Sequence, residues 1–111
     1  KHSGLKGICG ENDMRTISKR AQQGDARAHL ALTMFCYRLK KYIGAYMAAM
    51  GSLDCLVFTG GIGENSAVVR EMTCRNMAGL GIMLDKEKNK TTGQGISKIH
   101  TAESRVHLLV V

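Results

Sequence analysis

The chain has 111 residues, which is enough for one domain with a modest hydrophobic core. Its formal net charge is +7, from 16 Lys and Arg against 9 Asp and Glu, but the positive charges are dispersed along the sequence. Dispersed charge is typical of solvated surface faces rather than of a nucleic-acid-binding stripe, and the longest apolar run is far too short to span a membrane. These properties argue against a nucleic-acid partner and against a membrane partner.

Four cysteines, Cys9, Cys36, Cys55 and Cys74, lie far apart and form no Cys-x-x-Cys pair, so no metal cluster is expected. Cys36 and Cys55 have apolar neighbours, which predicts two small buried hydrophobes. The four histidines share no metal-ligand spacing either. Because no signal peptide opens the sequence, we expect reduced thiols and a cytoplasmic location.

The first helix is predicted from its caps. Residues 1–12 are rich in glycine and lack apolar periodicity, which predicts a loop. Asp13 is the expected N-cap of a short helix, Met14–Gln23, which Gly24 ends. On this interpretation Asp13 and Arg15 are an N-cap and a surface residue, and a functional role for the two is the alternative.

A second, long helix is predicted over Ala26–Met50, capped by Asp25 and ended by Gly51. Its core face follows a spacing of three and four residues. That face consists of Ala28, Ala31, Leu32, Phe35, Leu39, Tyr42, Ile43 and Tyr46. Gly44 inside the helix costs about 1 kcal/mol relative to Ala, which suggests close packing by a neighbouring element.

Further apolar side chains of this helix lie outside the predicted core face. They are Leu30, Met34, Tyr37, Met47 and Met50. Such a surplus makes the helix a candidate for part of a subunit interface, and burial on all sides within its own domain is the alternative.

The rest of the chain is predicted to alternate strands and helices. Cys55–Phe58 is an apolar strand, and the helix after the following glycine-rich turn runs from an Asn65 or Ser66 cap to Asn76 or Met77. The later segments are a strand, a polar exposed stretch, a short strand and a longer strand: Gly81–Asp85, Lys86–Gly95, Ile96–Ile99 and Val106–Val111. Strands joined by helices predict an α/β fold with a mainly parallel, covered sheet.

The glycine-rich turn after the first strand is a candidate nucleotide site. Gly60, Gly61 and Gly63 would let the backbone lie close against a ligand, because glycine has no Cβ. The N–H groups at the start of the next helix suit an anion, and Asn65 offers both a donor and an acceptor for an adenine edge. The turn lacks the Gly-Lys-Ser/Thr of a P-loop and the third glycine of a Rossmann fingerprint. A structural turn with Asn65 as a simple N-cap is the alternative.

The string FTGGIGENS, Phe58–Ser66, resembles the adenosine-binding signature of the acetate kinase family. Lys1–Gly7 and Asn12–Arg15 are similar to the segments before and at that family's Ser-Asp-x-Arg element, and Tyr37–Tyr46 is similar to its long helix. The resemblance runs in order along the whole chain. Propionate and butyrate kinases share much of this pattern.

The resemblance implies the actin-like, ribonuclease-H-like fold of sugar kinases, Hsp70 and actin, with residues 1–111 as a C-terminal nucleotide-binding domain fragment of a two-domain kinase. It implies reversible phosphoryl transfer between ATP and acetate, giving acetyl phosphate and ADP, with Mg²⁺. It also implies a homodimer, and acetate or another short-chain carboxylate as substrate. The nucleotide-binding residues that the family motifs imply are Asp13, Met14, Arg15, Gly61, Ile62, Gly63, Glu64 and Asn65.

The family's catalytic Asp, Arg and His residues fall before Lys1, and an acidic residue associated with Mg²⁺ falls beyond Val111. No catalytic or metal-binding residue is therefore assigned within the chain. A start at Lys1 and an end within an apolar run also suggest a fragment, which we expect to be inactive alone. A propionate or butyrate kinase, and a non-catalytic actin-like ATP-binding module, are the alternative functions.

Overall fold

The computed structural model describes residues 11–59 and 66–111, with side chains from residue 16 onward. In chain order, the elements of this part are α1 (Glu11–Gln22), α2 (Ala26–Met50), β1 (Cys55–Phe58), α3 (Ala67–Cys74), a 3-10 turn (Ala78–Leu80), α4 (Lys86–Lys90), β2 (Ser97–Lys98) and β3 (His107–Val110). None of these helices is long and apolar enough to cross a membrane.

The long helix α2 has the bounds and caps that the sequence predicts. The Asp25 carboxylate accepts hydrogen bonds from the backbone N–H groups of Arg27 and Ala28, at 3.0 and 3.1 Å. These bonds satisfy two of the N–H groups that every helix start leaves without a helical partner. At the other end, Gly51 has a positive φ of 83°, and its N–H donates to the Met47 carbonyl.

Helix α1 begins earlier than predicted. Its backbone is already helical at Glu11, so Asp13 lies within the helix, and its predicted role as the N-cap is wrong. The helix ends at Gln22, one residue before the predicted end, and Gly24 follows in the turn. The end of α1 is therefore confirmed to within a residue, whereas its start falls inside the predicted loop.

The sheet has three strands in the order β1-β3-β2. β1 and β3 are parallel, with Cys55 opposite His107 and Phe58 opposite Val110. β2 pairs with β3 in the antiparallel sense, with Ser97 opposite Val110. The expectation of a mainly parallel sheet is thus met by one of the two pairings in the described chain. β2 and β3 are joined by a short return rather than by a crossover helix, and such a return allows only antiparallel pairing.

Two hydrophobic clusters form the core, and α2 contributes to both. The larger one lies on the sheet and consists of Ile43, Phe58, Cys74, Met77, Ile82, Ile99, Val106, Leu108 and Val110, with Met47, Leu53, Leu56 and Leu84 packed against it. The smaller one joins α1, α2 and α3 and consists of Leu32, Cys36 and Val69, with Ile17, Ala21, Phe35, Leu39, Val68 and Met72 packed against it.

The outer surface of α2 differs from the prediction in its second half. Tyr42 and Tyr46, predicted to face the core, are 63% and 64% exposed, whereas Met47 packs on the sheet cluster. A Cβ added at Gly44 would meet no described atom beyond its own helix backbone within 4 Å, so the expected close packing there is absent from the described chain. Leu30, Met34, Tyr37 and Met50 are exposed as well.

The predicted strand Gly81–Asp85 is not a strand. Gly81 has a positive φ of 86°, far from strand geometry, and a Cβ at this position would lie 2.8 Å from the Arg105 side chain. An isolated antiparallel bridge, between Leu84 and His100, joins this segment to the residues just after β2. The apolar pattern reflects burial of the segment beside the sheet rather than membership of it.

The predicted polar stretch Lys86–Gly95 contains the short helix α4. Asp85 caps it, because its carboxylate accepts from the N–H groups of Glu87 and Lys88 at 3.0 Å each. The charged side chains of α4 are exposed as expected, but Asn89 is buried.

Two smaller predictions also fail. Cys55 is exposed rather than buried, because it lies on the face of β1 opposite to Phe58. Helix α3 ends at Cys74, short of the predicted Asn76 or Met77. Arg75 has extended backbone angles and Asn76 has a positive φ of 63°, so the helix cannot continue through them.

Candidate functional site

The glycine-rich turn connects the carboxyl end of β1 to the start of α3. Residues 60–65 lie outside the described chain, so the predicted contacts of Gly61, Ile62, Gly63, Glu64 and Asn65 are not described. Both flanks have the predicted form, a strand before the turn and a helix after it. In α/β sheets, ligands bind outside the carboxyl ends of parallel strands, and the turn lies at that end of the β1–β3 pair.

The strand before the turn is firmly placed. Phe58 is buried in the sheet cluster, and its carbonyl accepts a hydrogen bond from the Val111 N–H at 3.0 Å. The register of β1 against β3 therefore holds to the last residue of the strand. The turn starts from a fixed point one residue later.

The helix after the turn is fixed at its first residue. Ser66 is the N-cap: its backbone is extended, and its Oγ accepts from the Val69 N–H at 3.2 Å. Of the two predicted cap residues, Asn65 and Ser66, Ser66 takes this role. The N-cap alternative for Asn65 is therefore wrong.

The second predicted segment, Asp13, Met14 and Arg15, lies in the first half of α1. Its side chains are not among those described. Further along the same helix, Ile17 packs in the small cluster that includes Val69 of α3. The helix that contains this segment and the helix that follows the glycine-rich turn thus share one hydrophobic cluster, although they are far apart in sequence.

Polar contacts hold α3 against its neighbours at both ends. Lys40 of α2 donates to the Arg75 carbonyl at the end of α3. Cys36 lies beside the Val69 carbonyl, with its sulfur 3.8 Å from that oxygen. Near the start of α3, buried Arg70 donates to buried Asn89 of α4. The sequence does not predict the burial of Arg70 and Asn89, because a polar residue within a charged or amphipathic stretch gives no signal of burial.

Buried thiols accompany this packing. Burial raises the pKa of the Cys36 thiol, although the neighbouring Thr73 side chain and the charges of Arg75 and Lys40 act in the opposite direction. Burial raises the pKa of Cys74 to about 12. Both groups are therefore neutral near pH 7 and behave as small hydrophobes, as predicted for Cys36.

The described residues offer no obvious metal site. Within residues 11–59 and 66–111, no group of three or more His, Cys, Asp and Glu side chains could hold a metal ion. His100 and His107 stack with their ring centroids 4.5 Å apart, and the Leu108 N–H donates to His100 Nδ1 at 3.0 Å. Mg²⁺ needs oxygen ligands, and this part of the chain does not gather a set of carboxylates for it.

Known acetate and propionate kinases are similar to this chain over most or all of its length. The model of the acetokinase family matches residues 1–111. An acetate kinase from Syntrophobacter fumaroxidans is 55% identical over 111 residues, which is all of this chain and 27% of that protein. The crystal structure of Porphyromonas gingivalis acetate kinase matches 89% of this chain and 25% of that one, with a TM-score of 0.82 and 46% identity. A propionate kinase structure from Francisella tularensis matches all of this chain and 28% of that one, with a TM-score of 0.82 and 43% identity.

These similarities first define a class: the fold is that of the acetate and propionate kinases, an α/β fold of the actin-like, ribonuclease-H-like type, as expected from the sequence. The chain belongs to the acetokinase family, a family of kinases. It spans about a quarter of the length of the curated relative from Syntrophobacter fumaroxidans.

The thiol environment gives a direct test of the packing around α3. With a pKa of about 12, Cys74 is almost entirely protonated at pH 8 and is also shielded from solvent. We expect iodoacetamide at pH 8 to leave Cys36 and Cys74 unmodified in the native protein and to modify both after denaturation. Peptide mass mapping distinguishes them from the other cysteines. Rapid native labelling of Cys74 would contradict the described packing.

Proposed function

We propose that the chain is the C-terminal nucleotide-binding part of an acetate kinase, which moves a phosphoryl group between ATP and acetate to give acetyl phosphate and ADP. The observation that carries the proposal is the family match over every residue of the chain. The position of the glycine signature supports it, because the signature joins the carboxyl end of a parallel strand to a capped helix start. Mg²⁺ would supply charge neutralisation at the phosphates, from ligands outside the described residues.

In this proposal the chain binds the nucleotide and does not provide the reacting groups. The backbone from Gly61 to Asn65 forms the wall of the adenosine pocket, where the absence of a Cβ leaves room for the base. Asp13, Met14 and Arg15 contact the ribose and the phosphates from the first half of α1. An arginine suits this role because its planar fork can donate to two phosphate oxygens.

The proposal also specifies which short-chain carboxylate is the substrate. Acetate is favoured by the curated relatives named acetate kinase, whereas the propionate kinase structure supports the alternative of a slightly longer carboxylate. Hydrophobic pockets separate substrates that differ by one methylene by only about 10–200-fold. Activity with both acids is therefore compatible with the proposal. A non-catalytic ATP-binding module would bind the nucleotide without forming any acyl phosphate.

The direct test is an assay of the full-length protein and of the isolated chain with ATP, Mg²⁺ and each of acetate, propionate and butyrate. Acyl phosphate is trapped with hydroxylamine as the hydroxamate. We expect turnover by the full-length protein, fastest with acetate, and none by the isolated chain. Equal rates from both would show that residues 1–111 contain the reacting groups. Tight ATP binding without any hydroxamate would favour the non-catalytic module.

A substitution at the glycine signature tests the pocket. Gly61→Val places a branched side chain where the base is expected, so KM for ATP should rise while the melting temperature changes little. Arg15→Ala should also lower kcat/KM for ATP. The loss should correspond to about 1.5–3 kcal/mol if a charged hydrogen bond to phosphate is removed. Gly93→Val is a matched control, because a Cβ at Gly93 meets no described atom within 4 Å. The pocket assignment is wrong if KM for ATP responds equally to Gly61→Val and Gly93→Val.

We also propose that the full-length protein is a homodimer that uses the outer face of α2. Leu30, Met34 and Tyr37 lie exposed along this helix, and Gly44 has open space around it where another backbone could approach. Tyr37→Glu should convert a dimer into a folded monomer, as measured by light scattering and circular dichroism. Gln94→Glu, on an exposed side chain in the loop between α4 and β2, introduces the same charge away from α2 and is the control. A dimer that survives Tyr37→Glu would place the interface elsewhere.

A further inference from the structure

Arg70 is a charged residue in the interior of the fold. It lies in the first half of α3 and is 1% exposed. Burial lowers the pKa of its guanidinium, but arginine keeps its proton in proteins. A buried charge is costly, and a well-packed apolar side chain of similar volume is often as stable or more so. Packing of α3 alone therefore does not account for an arginine at this position.

Two of the hydrogen bonds that Arg70 donates reach a single residue of α4. Its Nε donates to the side-chain carbonyl oxygen of Asn89 at 2.7 Å, and its Nη2 donates to the backbone carbonyl of Asn89 at 2.9 Å. Two donors of the planar guanidinium thus bind the same residue. This arrangement fixes both the position of α4 and the orientation of the Asn89 side-chain amide.

Asn89 also binds the start of α3. It is 1% exposed, and its side-chain nitrogen donates to the Ala67 carbonyl at 2.9 Å. Ala67 is the first residue of the helix and follows the Ser66 cap directly. The point at which the chain leaves the glycine-rich turn is consequently held by the Ser66 cap and by the amide of Asn89.

We propose that Arg70 and Asn89 are positioning residues for the nucleotide: together they fix Ala67, and through it the glycine-rich turn that the base contacts. This inference rests on the proposed function of the turn. Neither residue needs to touch the nucleotide. Glu64 and Asn65, two of the residues proposed to contact the nucleotide, come directly before Ser66 in the sequence, so a displaced start of α3 would disturb the proposed contact. A displacement of about 1 Å can cost as much as about a hundredfold in activity.

A second link between α3 and α4 provides a matched control. Lys86 and Glu71 form an ion pair at 3.8 Å at the surface, with the Lys86 side chain largely exposed. Exposed ion pairs of this kind contribute little to the free energy of folding. Lys86→Ala therefore removes a contact between the same two helices without changing the buried path to Ala67.

Two single variants of the full-length protein test the proposal. Arg70→Lys keeps the charge but loses the two-point contact, and Asn89→Asp keeps an acceptor for Arg70 but loses the donor to Ala67. We expect KM for ATP to rise about tenfold in each, KM for acetate to stay unchanged, and Lys86→Ala to behave as the wild type. KM for ATP in the double variant should be no higher than in the worse single variant, because the two residues act as a unit.

A purely structural role has a different signature. It would lower the melting temperature of the variants while leaving KM for ATP unchanged, and that result would overturn the proposal. If Arg70→Lys fails to fold, Asn89→Asp alone gives the same comparison against Lys86→Ala. Hydrogen exchange without nucleotide adds a local measurement: amides of residues 67–70 should exchange faster in Asn89→Asp but not in Lys86→Ala.

Failure of the proposed function is distinguishable from failure of this inference. If the wild-type protein forms no acyl phosphate, the acetate kinase proposal fails, and calorimetric titration with ATP then decides the inference. A Kd for ATP that is about tenfold weaker in Asn89→Asp and unchanged in Lys86→Ala would support it. An unchanged Kd in Asn89→Asp, or no ATP binding by the wild type, would overturn it.

Discussion

Burial of one face of α2 is the constraint on which the rest of the described chain depends. Ile43 and Met47 join this helix to the sheet, and Leu32 and Cys36 join it to α1 and α3. The two clusters share no other element of comparable length. Because caps define both ends of α2, local chemistry determines its length and the spacing of its two contact regions. The two elements that flank the glycine-rich turn, β1 and α3, both pack in clusters to which this helix contributes.

Helix α3 shows how a short element can be held in a defined orientation. Eight residues are too few for a stable helix in water, so its order depends on its surroundings. Ser66 and Asn89 satisfy backbone groups of its first turn, and Lys40 binds a carbonyl just after its last. Val69 supplies the apolar contact between these ends. Directional bonds at both ends limit sliding and rotation, which apolar packing alone resists less well.

The parts of the fold that the sequence predicts are those that local chemistry determines. Asp25 and Gly51 mark the ends of α2 because a carboxylate suits a helix start and glycine accepts a positive φ. Apolar alternation alone misassigns Gly81–Asp85, since burial beside a sheet and membership of it give the same pattern. The face of α2 occupied by Tyr42 lies within the predicted apolar stripe, yet no described element covers it.

The candidate site also combines residues that the sequence indicates with residues that it does not. Its glycine string is visible in the sequence because backbone approach to a ligand needs glycine at particular positions. The support behind it, Arg70 and Asn89, depends on a contact between residues 19 apart. The burial of such polar residues follows from how α3 and α4 meet, and no local propensity encodes that meeting.

The position of β1 at the edge of the three-stranded sheet has a consequence for handling the chain by itself. One side of β1 pairs with β3, and the other carries backbone N–H and C=O groups that no described strand covers. Its sequence, Cys-Leu-Val-Phe, has neither the charge nor the proline that commonly protects an edge. Produced alone, the chain would therefore expose an edge to which a strand of another molecule can add. Its tendency to associate would depend on its concentration and on whether another strand covers that edge.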